Sequence, residues 1–491
     1  MFTPIIGLEI HLQLKTKSKV FCKCSASDNE PNTNICPICL GYPGAMPNLN
    51  REAVKQSIRM GLALNCDIAK ESNWDRKNYM YPDLFKGYQI SQLDSPICGE
   101  GKLEVLVKDR KNFYSKDSYL KTVGIFRAHL EEDTAKSLHM KNETLIDANK
   151  AGIPLLEIVS KPEMYSVDEA VSYAKTIKNL AKWYKISDCN LELGQMRFDA
   201  NISICVDDID LKGKTYEDWK GANFTPIVEI KNLNSFRNLE AALVYEINRQ
   251  IEEYKKTKET YKPGNKETRG WDDQKGVSYT QRKKEEANEY RYIPEPDIPT
   301  LIITEDDISG IKDKMGKSPK EVFTELIETG VNEHASRLIS EEISLYKTYA
   351  YISSENKIDK IRLGNLITNE LNAEIIQFNG YQNIDPWLTG LKQVLIALSN
   401  GEISGTELKE ILKMHKIGQN DWEVLLEDIK STEVIDVESI LKKALSENPG
   451  VVDQIKSGKE SAKMFFVGIV MRETKGKADP GKLKSLLDKF I

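Results

Sequence analysis

Histidine is scarce, five in 491 residues, and that scarcity excludes a His-rich metal centre. No apolar run is long enough to span a bilayer, and the start MFTPIIGLEIHLQ has neither a basic leader nor a cleavage site. A cytoplasmic protein with no membrane partner is expected. Standard phosphate loops are missing too. Gly310 and Gly316 have five residues between them where four are required, and Pro319 follows Lys317-Ser318 at once. Gly99-Glu-Gly101 lacks the third glycine of a dinucleotide fingerprint. No Gly-x-Ser-x-Gly elbow and no Ser-Lys amidase pattern occurs, so no dedicated nucleophile is in view. Any nucleotide phosphate must therefore be held by sheet side chains, with Arg76, Lys77, Lys86, Lys136 and Arg197 as the candidate cations. Internal repeats and low-complexity tracts are absent as well.

What is present is ordinary in bulk, with 29% charged and 40% hydrophobic residues, enough for roughly two to four domains. The net charge of −6 argues against a general polyanion binder but leaves room for a local basic patch. The first informative stretch is Ile6 to Leu14. Ile6, Leu8, Ile10, Leu12 and Leu14 fall on one face of a strand; Gly7, Glu9, His11 and Gln13 fall on the other. Glu9 and His11 then stand side by side above a buried apolar face. Val123–Asp133 repeats the pattern, with Arg127, His129, Glu131 and Asp133 polar and Phe126, Ala128 and Leu130 apolar. So does Gln195–Cys205, which sets Arg197, Asp199 and Asn201 opposite Met196, Phe198, Ala200, Ile202 and Ile204. Asp199 and Asn201 join the candidate nucleotide-site residues.

Glu157 lies within the apolar run Pro154–Val159, where an unpaired carboxylate is costly and needs a cation or strong donor. Glu9, His11, Glu131 (or its neighbour Glu132) and Glu157 form an oxygen-rich set with one imidazole. That set suits Mg²⁺ with phosphate better than catalytic zinc. The alternative is a group of ordinary ion pairs to Arg76, Arg127 and Arg197.

Four of eight cysteines lie close together, Cys22-x-Cys24 and, after eleven residues, Cys36-Pro-Ile-Cys39. Two tight pairs separated by the polar Asp28–Asn34 segment suit tetrahedral, structural zinc. A redox CxxC is the competing reading, with no thioredoxin-like context behind it.

Strands at Ile5–Leu14, Leu103–Lys108, Val123–Asp133, Gln195–Cys205 and Ile227–Lys231 are interrupted by two helices, one capped by Ser166 and one over Phe236 to Thr257. Their irregular alternation predicts an α+β fold with antiparallel pairing. Tyr292 to Pro299 reads as a proline-punctuated linker, and nearly everything after it as helix with breaks at Gly330, Asn400-Gly401, Gly418 and Asn448-Pro449-Gly450. Residues 450–491 carry nine Lys and Arg against five Asp and Glu, so Arg472, Lys475 and Lys477 are candidate phosphate-backbone contacts, unless they are simply a solvated face.

These phrases resemble the B subunits of tRNA-dependent amidotransferases, the GatB/GatE family. The resemblance rests on Ile6–His11, Cys36–Gly41, Asp75–Tyr79, Tyr81-Pro-Asp83, Gly87–Gln92, His129–Asp133, Gly152–Ser160, Arg197 with Asp199-Ala-Asn201, Glu229–Phe236, Glu267–Asp272, Tyr290–Tyr292, Pro294–Asp297 and Gly468–Lys477. It implies a glutamine-synthetase-like catalytic domain over 1–294 with the zinc loop at 22–39. A helical domain over 295–418 and a YqeY-like tRNA-binding tail over 419–491 would follow. It also implies an ATP- and Mg²⁺-dependent ligase that phosphorylates the side-chain carboxylate of misacylated Glu-tRNA(Gln) or Asp-tRNA(Asn). Ammonia from an amidase A subunit, assembled with a small C subunit in a heterotrimer, then gives the amide. Glu9, His11, Glu131, Glu157 and Arg197 would carry the chemistry. Leu193 and Gln195 depart from the family pattern, as do positions near Gln281–Glu285 and Asn288. A catalytically inactive tRNA-binding scaffold, or a free-standing ammonia-dependent ligase, are the rival readings.

Overall fold

The computed structural model describes residues 2–27, 29–108, 118–283, 290–378, 384–415, 421–431, 437–474 and 480–491. Asp28, Gly418, Lys475 and Lys477 lie outside the described residues. The chain divides into two compact units, Met1–Pro319 and Lys320–Ile491.

Eight strands of the first unit form one sheet. Their order is Val277–Lys283, Glu267–Asp272, Val228–Leu233, Met196–Cys205, Thr3–Gln13, Pro154–Ser160, Tyr119–Glu132, Gly101–Val107. Neighbours pair antiparallel except Val228–Leu233 with Glu267–Asp272. The alternation that begins the chain therefore becomes a central strand. Ile6, Leu8, Ile10 and Leu12 are fully buried, and the helices Val167–Trp183 and Phe236–Thr257 pack against the sheet. Each helix begins at a serine whose hydroxyl accepts an N–H three residues on: Ser166 from Glu169 at 3.1 Å, Ser235 from Asn238 at 3.0 Å. Phe126, expected to face inward, does not. The register of Tyr119–Glu132 shifts between Ile125 and Arg127, and this bulge leaves Phe126 40% exposed.

The proline-rich segment is not a linker. Ile293–Pro294 pairs with Asp75–Asn78, and Leu301–Ile302 pairs with Glu71–Ser72. The Glu295 N–H donates to the Trp74 carbonyl at 2.9 Å. Prolines are tolerated here because these are short edge pairings needing few N–H donors. The first unit consequently runs past 294, to Pro319. The expected division at 418/419 lies outside the described residues.

The second unit is helical throughout its described residues. Leu441, Phe466, Val470, Leu483 and Leu487 form one of its cores. Elsewhere in that unit His415 stacks on Trp422 at 3.7 Å, with Trp387 edge-on to both rings. Among the described residues no helix is long and apolar enough to cross a membrane.

Candidate active site

Antiparallel register aligns the polar residues of four strands. His11 lies opposite Glu157 on one side and Arg197 on the other, and Glu157 lies opposite His129. One step along, Glu9 faces Asp199, while Asn201 faces Glu229. Because side chains alternate across a strand, all of these project from the face opposite the apolar one.

Two clusters result. In the first, ligand atoms of His11, Glu131 and Glu157 lie within 4.8 Å of one another. The His11 Nε2 is 3.4 Å from Glu157 Oε2 and 3.7 Å from Glu131 Oε1, and His129 Nε2 is 3.3 Å from Glu157 Oε2. In the second, Glu9, Asp199 and Glu229 meet the same 4.8 Å limit. Asn201 donates to Glu9 at 2.8 Å, and Lys231 and Lys266 each approach Glu229 at 3.3 Å.

The electrostatics show how crowded these acids are. Burial, with Glu157, Glu229 and Asp199 nearby, pushes the Glu9 carboxyl up to about 7. Burial and Glu157 raise Glu131, and burial raises Asp199. Burial opposes charge on His11, but Glu157 and Glu131 outweigh it and lift the imidazole to about 9. Glu157 goes the other way: burial opposes its ionisation, and His129 and His11 together pull it well below the usual carboxylate range. Glu9, Glu131 and Asp199, all raised by burial, are the carboxylates here that are short of positive charge. Each cluster brings three donor groups together, two carboxylates and an imidazole in the first and three carboxylates in the second, so both fit a divalent cation that takes mainly oxygen ligands.

The clusters border an open cavity of about 180 Å³. His11, Glu131, Asp133, Arg197 and Asp199 line it, with Lys77, Tyr79, Gln89, Thr134, Leu155 and Asn232. Arg197 donates to Asp133 at 3.1 Å and stays charged beside it. Burial opposes charge on Lys77, yet Tyr292, Glu131 and Glu157 raise its pKa, so it faces the cavity as a cation. Asn232 takes a left-handed backbone, φ 60°, which aims its N–H at Asp199 Oδ1, 2.7 Å away. Asparagine tolerates that conformation better than most residues.

Four sequence assignments fail. Arg76 forms two hydrogen bonds to Glu295, at 2.7 and 2.8 Å, and reaches Asp297 at 3.2 Å, so its charge is already matched. Lys86 and Glu132 pair with each other, and Glu132 also accepts the Ile90 N–H at 3.0 Å. Both side chains border a different hollow, beside Cys22 and Cys39. This separates Glu131 from Glu132, since successive strand residues face opposite ways. Lys136 is exposed on the hairpin strand Lys136–His139 and does not line the cavity. Conversely, the structure adds Glu229 and Asp133 to the site. Glu229 sits between Val228 and Ile230, both buried, and that local alternation is its signal in the sequence.

The Cys22, Cys24, Cys36 and Cys39 sulfurs also gather within 4.8 Å and can hold a metal ion. Hydrogen bonding from Cys22 takes the Cys39 thiol down to about 4, with Lys19 helping, whereas burial takes Cys24 up to about 11. The fully buried Lys19 places its ammonium 3.6 Å from Cys39 Sγ and 2.8 Å from the Asn34 carbonyl. Four thiolates around one divalent ion carry excess negative charge, and a buried lysine offsets part of it. In the second unit Arg472 is exposed near the end of Lys463–Glu473.

A mixed, mostly antiparallel sheet carrying acidic clusters at a cavity that Lys77 and Arg197 also line, joined to a helical unit, defines an α+β protein with a candidate cation-dependent active site. The family model described as the GatB/GatE catalytic domain matches residues 4–309, and the one described as the GatB domain matches 344–491. The chain belongs to the GatB/GatE family. Similar proteins include the B subunit of the aspartyl/glutamyl-tRNA(Asn/Gln) amidotransferase of Rhodopirellula baltica, 36% identical over 502 residues that cover 100% of this chain and 97% of the relative. The corresponding protein of Gloeothece citriformis is 38% identical over 505 residues, covering 100% and 98%. That of Thermoanaerobacter pseudethanolicus is 38% identical over 499 residues, covering 99% and 98%.

Proposed function

We propose that this chain is the ligase subunit of a tRNA-dependent amidotransferase. In this reading it phosphorylates the side-chain carboxylate of Glu-tRNA(Gln), Asp-tRNA(Asn) or both at the expense of ATP, and the acyl phosphate is then amidated. The observation carrying it is the row His129–Glu157–His11–Arg197, which sets an acidic cluster with His11 beside Lys77 and Arg197 at one cavity. A carboxylate offers ammonia no leaving group; its acyl phosphate does. The attacking carboxylate needs no general base, which agrees with a site lacking an activated nucleophile.

His11, Glu131 and Glu157 would hold one Mg²⁺, and Glu9, Asp199 and Glu229 a second. Bound there, Mg²⁺ supplies charge neutralisation for the phosphates. Lys77 and Arg197 bring positive charge to the transferring phosphoryl group and to the substrate carboxylate. Asp133 fixes the Arg197 guanidinium, and Asn201 orients Glu9. The sheet serves as a glutamine-synthetase-like platform. Cys22, Cys24, Cys36 and Cys39 hold structural zinc. Arg472, with Lys475 and Lys477, contacts the tRNA backbone. Ammonia comes from an amidase A subunit assembled with a small C subunit.

Reconstitution with those subunits, ATP, glutamine and each misacylated tRNA tests the proposal. Amide on the tRNA is expected with the native chain and not with His11→Ala. Amidation without ATP, or full activity in His11→Ala, contradicts it.

A further inference from the structure

A chain of tyrosine rings begins at the cavity. Tyr79 lines the cavity, and its ring lies edge-on to Tyr81 at 5.9 Å and to Tyr290 at 6.1 Å. Tyr290 continues to Tyr292 at 6.4 Å, and the Lys77 ammonium sits 4.8 Å over the Tyr290 ring. At the outer end Tyr81 is 60% exposed and Met80 86% exposed. Large apolar groups left bare at the lip of a cavity mark a contact surface. Their loop is held in place: the Leu84 N–H donates to Tyr81 O at 3.0 Å, Tyr79 N–H to Gly87 O at 3.2 Å, and Ala135 N–H to Asp83 O at 2.9 Å.

We infer that the Tyr79–Tyr81 shelf receives an adenine ring, that of the 3′-terminal adenosine carrying the amino acid. The inference rests on the function proposed above. Two adenines reach such a site, one from ATP and one from the tRNA end, and both can stack on tyrosine. The shelf's shape favours the second. A free nucleotide gains affinity from enclosure, whereas this shelf opens to solvent. A terminal adenosine must stay continuous with the rest of its strand and so needs an open side. Tyr79 lines the same cavity as Lys77 and Glu131, so a base stacked on this shelf brings its esterified amino acid to that cavity.

The test uses the assembled amidotransferase with Tyr81→Ala and Tyr81→Phe. Tyr81 is exposed, so both variants should fold. Tyr81→Ala is expected to raise the KM for misacylated tRNA at least about fivefold, the lower end of base stacking, with the KM for ATP within about twofold of native. Tyr81→Phe, which keeps the ring, restores the tRNA KM. A raised ATP KM beside an unchanged tRNA KM would assign the shelf to the nucleotide and overturn the inference. So would no change in either, equal losses in both, or failure of phenylalanine to rescue. If the native assembly itself makes no amide, the proposed function fails rather than the shelf.

Discussion

Glu9 is the residue at which charge and function part company. Its carboxyl, pushed up to about 7 among Glu157, Glu229 and Asp199, loses little when made permanently neutral. Glu9→Gln should therefore leave the thermal midpoint unchanged or raise it, because it relieves repulsion. Amidation should fall about a hundredfold or more, the scale of several kcal/mol of charge stabilisation. Calorimetry beside an amidation assay checks both halves. Arg76 makes the opposite case. Its partner Glu295 has a fully buried side chain, so Arg76→Ala should destabilise the first unit by about 3 kcal/mol, as breaking such pairs does. The KM for ATP should hold, since the Arg76 guanidinium is committed to Glu295 and Asp297; denaturant titration and ATP kinetics together decide this. The two residues also show what is legible in a sequence. Glu9, His11 and Arg197 can be read from period-two alternation because that signal is local. The pairings of Arg76 and Lys86 cannot, because their partners Glu295 and Glu132 are far along the chain and only tertiary structure brings them close.

At the level of elements, local chemistry again marks the boundary. The helix over Phe236–Thr257 is readable to its ends from its apolar spacing, and the structure adds the Ser235 cap. Ile293–Pro294 is not, since its strand partner, Asp75–Asn78, is more than 200 residues away. The cysteine loop is visible as spacing, and its content is measurable. Zinc should be found by elemental analysis, and Cys39→Ser or a chelator should lower the midpoint of the first unit by roughly 5 °C or more. In the second unit, burial against Trp422 and Trp387 lowers the His415 pKa, with Asp421 opposing. A histidine depressed in the folded state contributes fully above its unfolded value, about 6.5. That contribution is lost as pH falls through 6.5 toward the lowered folded value. The second unit's unfolding midpoint should thus drop with acidification in this window, and His415→Gln should flatten the slope. An unaltered slope would place the titration elsewhere.

Across the whole molecule, the tail cannot simply be cut away. Phe466, Val470, Leu483 and Leu487 share a core with Leu441 and Ala444, so truncation after Gly450 would strip that core as well as any tRNA-binding surface. Charge changes keep it. Arg472→Glu combined with Lys475→Ala and Lys477→Ala should weaken tRNA binding and reduce its salt dependence by roughly one unit of slope for each phosphate no longer neutralised. ATP hydrolysis should be spared, and unchanged tRNA affinity would remove the tail from the account. The sheet of the first unit is lined with carboxylates, residues 450–491 carry nine Lys and Arg against five Asp and Glu, and the phosphoryl acceptor proposed for the pair is a carboxylate on a tRNA. That acceptor can be tracked directly. Misacylated tRNA labelled with ¹⁸O in the amino acid's side-chain carboxylate, turned over by the assembled enzyme with ATP and glutamine, should release phosphate carrying one ¹⁸O for each amide formed. Amide accompanied by unlabelled phosphate would contradict the acyl phosphate, and with it the role given to this site.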